Sequence, residues 1–318
     1  MERNIHLPTG LEPEALDLQR DGSLPGRWLR RWAEIGSDSQ LCSPAGQWLT
    51  GVELEERTRR KASALVASGL APGDRFVISA ASSVELLVAY VAALRAGLVV
   101  VPLNTAYTEA EVTRIIEDAQ PRAAAVDDDK HATWIRAASA DTTVHAVELD
   151  LPLHAGESEI DRSTSDDPAL LMYTSGTTGR AKGALLAHGN LLASATAVNI
   201  AWRWEPHDCL LLTLPLFHMH GLGVGVNGSL CAGAKINLRT KFDAADVEAQ
   251  ALGPETSMFF GVPAMYQRLA AAGKLDPLRR LRLLVSGSAP LPAALAAEIA
   301  EGAGQMPLER YGMTETVM

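Results

Sequence analysis

Three observations predict an α/β fold. Segments with strand and helix character alternate through most of the chain, several strands are short apolar runs suited to a sheet covered on both faces, and strand after strand ends in a loop of small residues. Such loops are where α/β sheets hold their ligands.

The alternation begins at residues 53–68, where Leu54, Thr58, Ala62, Leu65 and Val66 recur at helical spacing with charges between them and Gly69 follows as a terminator. Residues 75–79 read as a strand, Ser83 caps a helix that reaches about Ala96 before Gly97, and 99–103 is the next strand. A helix after Thr108 runs through Asp118, 123–126 is a strand, and 144–149 is expected as another buried strand. Asp127, Asp128 and Asp129 read as a solvated turn, and the polar stretch 155–167 reads as a linker.

Beyond it the pattern resumes with strands at 169–173 and 184–186, a helix starting near Asn190 and a strand at 209–213. An αβ unit then spans 243–261, and a strand at 281–285 stops at Ser286-Gly-Ser. The expected division is an N-terminal segment of uncertain order at 1–35, a first α/β subdomain at 36–160 and a second, incomplete one at 161–318.

At 318 residues, 47% apolar and 21% charged, the chain is long enough for two such units with a full core. The formal net charge of −10 argues against nucleic acid or an anionic membrane as partner, because those surfaces demand an electropositive face. Cys42, Cys209 and Cys231 are odd in number and lack C-x-x-C spacing, so no disulfide framework or zinc site is suggested and a cytoplasmic location is expected. The first residues lack a secretory apolar core, and the apolar stretch 84–103 is broken by Glu85, Arg95 and Pro102, so no integral membrane contact is expected.

The loop at 173–183, Tyr-Thr-Ser-Gly-Thr-Thr-Gly-Arg-Ala-Lys-Gly, has a composition that no core requires. Gly176, Gly179 and Gly183 let backbone approach an anion, Thr174, Ser175, Thr177 and Thr178 bring hydroxyl donors, and Lys182 brings a compact cation. A polyphosphate cradle has that chemistry; a Gly/Thr-rich turn between strands has the same composition. The P-loop spacing G-x-x-x-x-G-K-[ST] is excluded, because Lys182 stands three residues after Gly179.

Four later segments carry ligand-type residues. Pro215-Leu-Phe-His-Met-His-Gly221 places His218 and His220 in an apolar stretch after a strand, where hydrogen-bonded structural histidines are also common. Phe260-Gly-Val-Pro-Ala-Met-Tyr266 turns from strand to helix. Val285-Ser-Gly-Ser-Ala-Pro-Leu291 exposes Ser286, Gly287, Ser288 and Ala289 at a strand end, and Tyr311-Gly-Met-Thr-Glu315 offers an aromatic ring, a hydroxyl and a carboxylate.

Together and in this order, the five segments resemble the adenylate-forming superfamily of acyl-CoA synthetases, luciferases and adenylation domains. Pro102-Leu-Asn-Thr-Ala-Tyr-Thr108, the His-x-His-Gly form at 218–221 and Leu308-Glu-Arg-Tyr-Gly-Met-Thr-Glu315 make it most similar to malonyl-CoA synthetases. The resemblance implies the N-terminal part of the adenylate-forming fold, with mixed sheets flanked by helices. It implies ATP, Mg²⁺ and coenzyme A as cofactors and co-substrates, and a carboxylic acid as substrate.

By matching motifs, the resemblance implies that Thr174, Ser175, Gly176, Thr177, Thr178, Gly179 and Lys182 hold the β- and γ-phosphates. Gly287, Ser288 and Ala289 would lie along adenine and acyl group, Tyr311 and Gly312 would border the adenine, Thr314 would donate to the α-phosphate, and Glu315 would bind Mg²⁺. His218 would sit beside the acyl carboxylate, with Lys182, His218 and Thr314 the expected catalytic set. For a dicarboxylate such as malonate or methylmalonate, His220, Arg268 and Arg282 are the candidate cations beside Ser286. Arg268 reads equally as a surface helix residue, and alternation along its strand leaves Arg282 free to point away.

Relatives in that superfamily continue into a ribose-binding aspartate, a hinge and a C-terminal domain that carries a catalytic lysine. None of these stands before Met318, so the resemblance implies a ligase portion with little complete activity of its own. An inactive ATP-binding remnant and an adenylation module loading a carrier-protein thiol are the alternatives.

Overall fold

A computed structural model describes residues 22–152, 159–174 and 182–317. The first helix, α1 (Leu24–Ile35), lies in the segment whose order the sequence leaves uncertain. Ser23 caps it by accepting from Gly26 N at 3.2 Å, Pro25 suits its first turn, and Trp28 and Trp32, one helical turn apart, enter the core. The Trp28 ring meets Tyr90 at a centroid distance of 5.9 Å.

A short hairpin, β1 (Ser39–Cys42) and β2 (Trp48–Thr50), leads into α2 (Gly51–Ala67), which opens with a Thr50/Glu53 capping box. Next come β3 (Arg75–Ser79), α3 (Val84–Arg95) and β4 (Val99–Pro102), close to their expected bounds. Helix α3 is buried along its whole length, which explains why its sequence shows no polar face. The guanidinium of Arg95, 2% exposed, is matched by Asp161 at 2.8 and 3.0 Å, Thr58 Oγ1 at 2.9 Å and Glu55.

Then follow α4 (Glu109–Ala119), β5 (Ala123–Val126), α5 (Asp129–Ala138) and β6 (Thr143–Ala146). The acidic run is not a mere solvated turn. Asp128 caps α5 through Lys130 N at 2.8 Å, and Asp127 accepts from Ala81 N at 2.7 Å. The strand expected at 144–149 is shorter and forms a half-exposed sheet edge; Val147 and Leu149 are buried beyond its end.

The hairpin β7 (Pro168–Thr174) and β8 (Lys182–Ala187) is followed by α6 (His188–Ala201) and β9 (Cys209–Leu212). A π-helical stretch, His220–Val226, runs into α7 (Asn227–Ala232), then β10 (Lys235–Leu238), α8 (Ala244–Leu252), β11 (Met258–Gly261) and α9 (Pro263–Ala271). The described chain closes with β12 (Leu283–Gly287), α10 (Ala293–Ala303) and β13 (Leu308–Arg310).

Among the described residues the strands form two sheets, ordered β13-β12-β11-β9-β10-β1-β2 and β6-β5-β3-β4-β7-β8. Pairing is parallel except in the β1–β2 and β7–β8 hairpins. The expected division at 160 does not follow these sheets: β7 and β8 extend the sheet of the first half, and β1 pairs with β10 of the second. Helices α1, α3, α6 and α7 pack between the sheets in the largest apolar cluster. The outer face of the six-stranded sheet is covered by α4 and α5, that of the seven-stranded sheet by α8, α9 and α10.

The three cysteines are buried and none is in a disulfide. No described helix is long and apolar enough to cross a membrane.

Candidate active site

The strands β9, β11, β12 and β13 run parallel, so their C-terminal ends open on one rim of the seven-stranded sheet. The segment after β9 brings the histidines there. Leu216 and Met219 are buried anchors, which leaves His218 at the surface, its ring 4.8 Å from that of Phe217, and turns His220 inward to 2% exposure.

His220 packs on the bare Cα of Gly287. A Cβ at that position would lie 3.0 Å from His220 Cε1 and 3.3 Å from Nδ1, so the glycine makes room for the ring. The ring also lies nearly parallel to that of Phe260, at a centroid distance of 6.3 Å and an interplanar angle of 21°. Ser288 Oγ lies 3.2 Å from His220 Nδ1, while Nε2 is buried without a hydrogen-bond partner. Burial pushes the imidazole down to about 4, and the positive charge of Arg310 and the neighbouring His218 push the same way, so His220 is neutral at pH 7.

Arg310, the last residue of β13, pairs in register with Gly287 and projects over the Trp202 ring at 5.5 Å. Its Nη1 is buried without a partner, which for a cation is costly unless an anion arrives. Sequence reasoning missed this residue. The signal available was a lone cation directly before Tyr311, at a strand end facing the two-histidine segment.

The candidate cations named from sequence are elsewhere. Arg282 precedes β12 at the opposite end from the site, where Nε reaches Asp208 Oδ1 at 2.6 Å, Nη2 reaches Oδ2, and Nη1 donates to Trp202 O at 3.0 Å. Arg268 lies exposed over the Phe242 ring at 4.8 Å, as a surface residue of α9. Ser286 is buried with an unpartnered hydroxyl, but alternation along β12 puts it with Leu284 on the face toward Phe259 and Tyr266, opposite to Val285 and Gly287. These three side chains do not meet His220.

The nucleotide-type residues converge on the same rim. Tyr311 follows Arg310 and is 87% exposed, an aromatic face held out to solvent at a strand end. Gly312 and Thr314 are half-buried, and Glu315 and Ala289 are exposed. The short helical turn Thr314–Thr316 packs against β8, and Ser194 Oγ of α6 donates to Val317 O at 3.1 Å. Thr314 and Glu315 are thereby brought beside the β7–β8 hairpin.

Thr174 pairs with Lys182 across that hairpin, so both stand at the mouth of the connecting loop. Ser175, Gly176, Thr177, Thr178 and Gly179 lie outside the described residues. Gly183, expected as part of an anion cradle, is in β8 opposite Tyr173, where a Cβ would come within 2.7 Å of Leu171 Cδ1. It serves strand packing. Thr174 and Lys182 thus end two antiparallel strands, and the residues between them lie outside the described ones.

Among the described residues no group of three or more His, Cys, Asp or Glu side chains is placed to hold a metal. Glu315 offers one exposed carboxylate, and Mg²⁺ commonly binds through one or two carboxylates together with substrate phosphates, so the donor set fits that ion.

Residues 29–318 match the family described as AMP-binding enzyme. A feruloyl-CoA synthase of Amycolatopsis sp is 34% identical over 295 residues, covering 91% of this chain and 59% of the relative. The malonate–CoA ligase ACSF3 of Mus musculus is 32% identical over 271 residues, covering 77% of this chain and 46% of the relative. The crystal structure of ATP-bound MatB from Rhodopseudomonas palustris superimposes with a TM-score of 0.83 at 36% identity, covering 92% of this chain and 60% of that one. The chain thus spans less than two thirds of the length of the relatives it matches, and its two sheets are the N-terminal part of the adenylate-forming fold. With its matching region running through both sheets and the whole rim that carries His220, Gly287, Arg310 and Glu315, this chain belongs to the AMP-binding enzyme family.

Proposed function

We propose that the chain forms the ATP- and acid-binding part of an ATP-dependent carboxylate–CoA ligase whose acid is a short dicarboxylate such as malonate. The carrying observation is the buried, unpartnered edge of Arg310 beside neutral His220. A second carboxylate on the substrate would satisfy the buried Nη1 of that guanidinium with a charge-assisted hydrogen bond, whereas an acid with an aryl group there would leave it unpaired. The small residues Gly287, Ser288 and Ala289 at the rim suit a short acyl group.

In the proposed reaction a carboxylate oxygen of the acid bonds to the α-phosphorus of ATP as the bond to pyrophosphate breaks, giving an acyl-adenylate. The thiol of coenzyme A then attacks the acyl carbon, AMP leaves, and the thiol proton is released. Neither step needs a side-chain nucleophile; the protein aligns the partners and neutralises charge. Lys182 and Thr174 at the hairpin mouth would meet the β- and γ-phosphates, Thr314 the α-phosphate, and Tyr311 the adenine. Mg²⁺ held by Glu315 would screen the phosphate charge.

Calorimetric titration of this chain tests the reading. Malonate should bind at least about tenfold more tightly than acetate, the value of one well-placed hydrogen bond to a charged group, and Arg310→Leu should abolish that preference. Mg·ATP binding should survive Arg310→Leu and be lost in a Lys182→Ala, Glu315→Ala double variant. Equal affinities for malonate and acetate would refute the dicarboxylate.

A further inference from the structure

We propose that Ser288 is a positioning residue for the acid site: its hydroxyl donates to His220 Nδ1, which locks the neutral imidazole with its proton on Nε2 and makes Nε2–H a second donor, beside Arg310 Nη1, for an oxygen of the acyl substrate. This rests on the carboxylate reading of the site.

The first support is backbone geometry. Ser288 has φ 67°, in the left-handed region that a residue with a Cβ enters at a cost of about 1–2 kcal/mol. Glycine would occupy this position without that cost, so the serine is explained by its side chain. That side chain is directed at one atom, His220 Nδ1, at 3.2 Å.

The second support is the choice between the two tautomers. If Ser288 accepted a proton from Nδ1, Nε2 would present a bare lone pair, and the adjacent Arg310 cation would be its natural donor. Yet Nε2 of His220 and Nη1 of Arg310 are both buried without a hydrogen-bond partner, although Arg310 is near enough for its charge to act on the ring. A protonated Nε2 and the guanidinium Nη1, each left without a partner, are instead donors available to an incoming anionic oxygen. The Cα of Gly287 and the Phe260 ring both border the buried imidazole, which limits its freedom to turn Nε2 elsewhere.

The imidazole nitrogens of ¹⁵N-histidine-labelled protein report the tautomer directly, with His220 assigned through His220→Gln. In the ligand-free parent, His220 should show a protonated Nε2 and a bare Nδ1, and malonate should shift the Nε2 resonance. Ser288→Gly removes hydroxyl and backbone strain together, so it should denature no earlier than the parent, yet give mixed tautomers and weaken malonate binding by about tenfold, one hydrogen bond. Ser288→Ala, which removes the hydroxyl without freeing the backbone, should weaken binding equally. A merely structural serine predicts no loss of binding in the better-folded glycine variant. An Nδ1-protonated His220, or a tautomer unchanged by Ser288→Gly, would overturn the proposal whatever malonate does. An Nε2–H form lost in the variant sustains it, and failure of the parent to bind malonate alongside that result would overturn only the choice of acid.

Discussion

Arg282 and Asp208 form a two-armed ion pair at the N-terminal end of β12, with Asp208 fully buried and further held by Ser257 Oγ at 2.8 Å and Glu205 N at 2.9 Å. The pair ties β12 to the turn before β9 at the end of the sheet opposite the ligand rim.

Removing one partner strands a buried charge. Arg282→Ala should therefore lower unfolding free energy by about 3 kcal/mol, measured by urea denaturation, while Mg·ATP affinity of the folded protein stays unchanged. A loss of nucleotide binding without a loss of stability would return Arg282 to the site.

Gly287→Ala should separate folding from binding. Its new Cβ would meet His220 Cε1 at 3.0 Å, tight enough that the ring must yield by a few tenths of an ångström. Malonate affinity should fall about tenfold or more by calorimetry, since a displaced donor loses its hydrogen bond. The melting temperature should change little.

Acid should weaken the fold through two histidines. His188 is fully buried with both nitrogens unpartnered, and burial lowers it to about 4, as it does His220, from an ordinary 6.5. Between those values the unfolded chain takes up protons that the folded protein refuses, so the stability is complete above pH 6.5 and is lost as pH falls towards 4. From pH 7 to pH 5 each histidine should remove up to about 2 kcal/mol. Urea titrations at the two pH values should show a smaller decrease in His188→Gln, and an equal decrease would rule out His188 as a source.

Local chemistry was legible where it acts over a few residues. Ser83 before an apolar run and Gly69 and Gly97 after one marked their elements close to the observed bounds, because caps and breakers act through neighbouring backbone groups. The ligand-type residues of the rim, including His220, Gly287, Tyr311 and Glu315, were also recognisable, since their composition serves no core. Helix α1 was within reach too, through Ser23, Pro25 and the Trp28/Trp32 spacing.

Pairing and facing were not legible, because both depend on contacts between distant segments. That β7 and β8 join the sheet of the first half, that Arg282 spends its charge on Asp208 and that Ser286 faces away from His220 are consequences of strand register and of the two-residue alternation it imposes. Arg310 illustrates the boundary between the two. Its charge stood in the sequence beside Tyr311, but its importance arises from a register that sets it opposite Gly287 and from the loss of water around its Nη1. Residue chemistry marked the ligand-type segments; long-range packing decided that the Ser288 hydroxyl meets His220 and that Nη1 of Arg310 is buried without a partner.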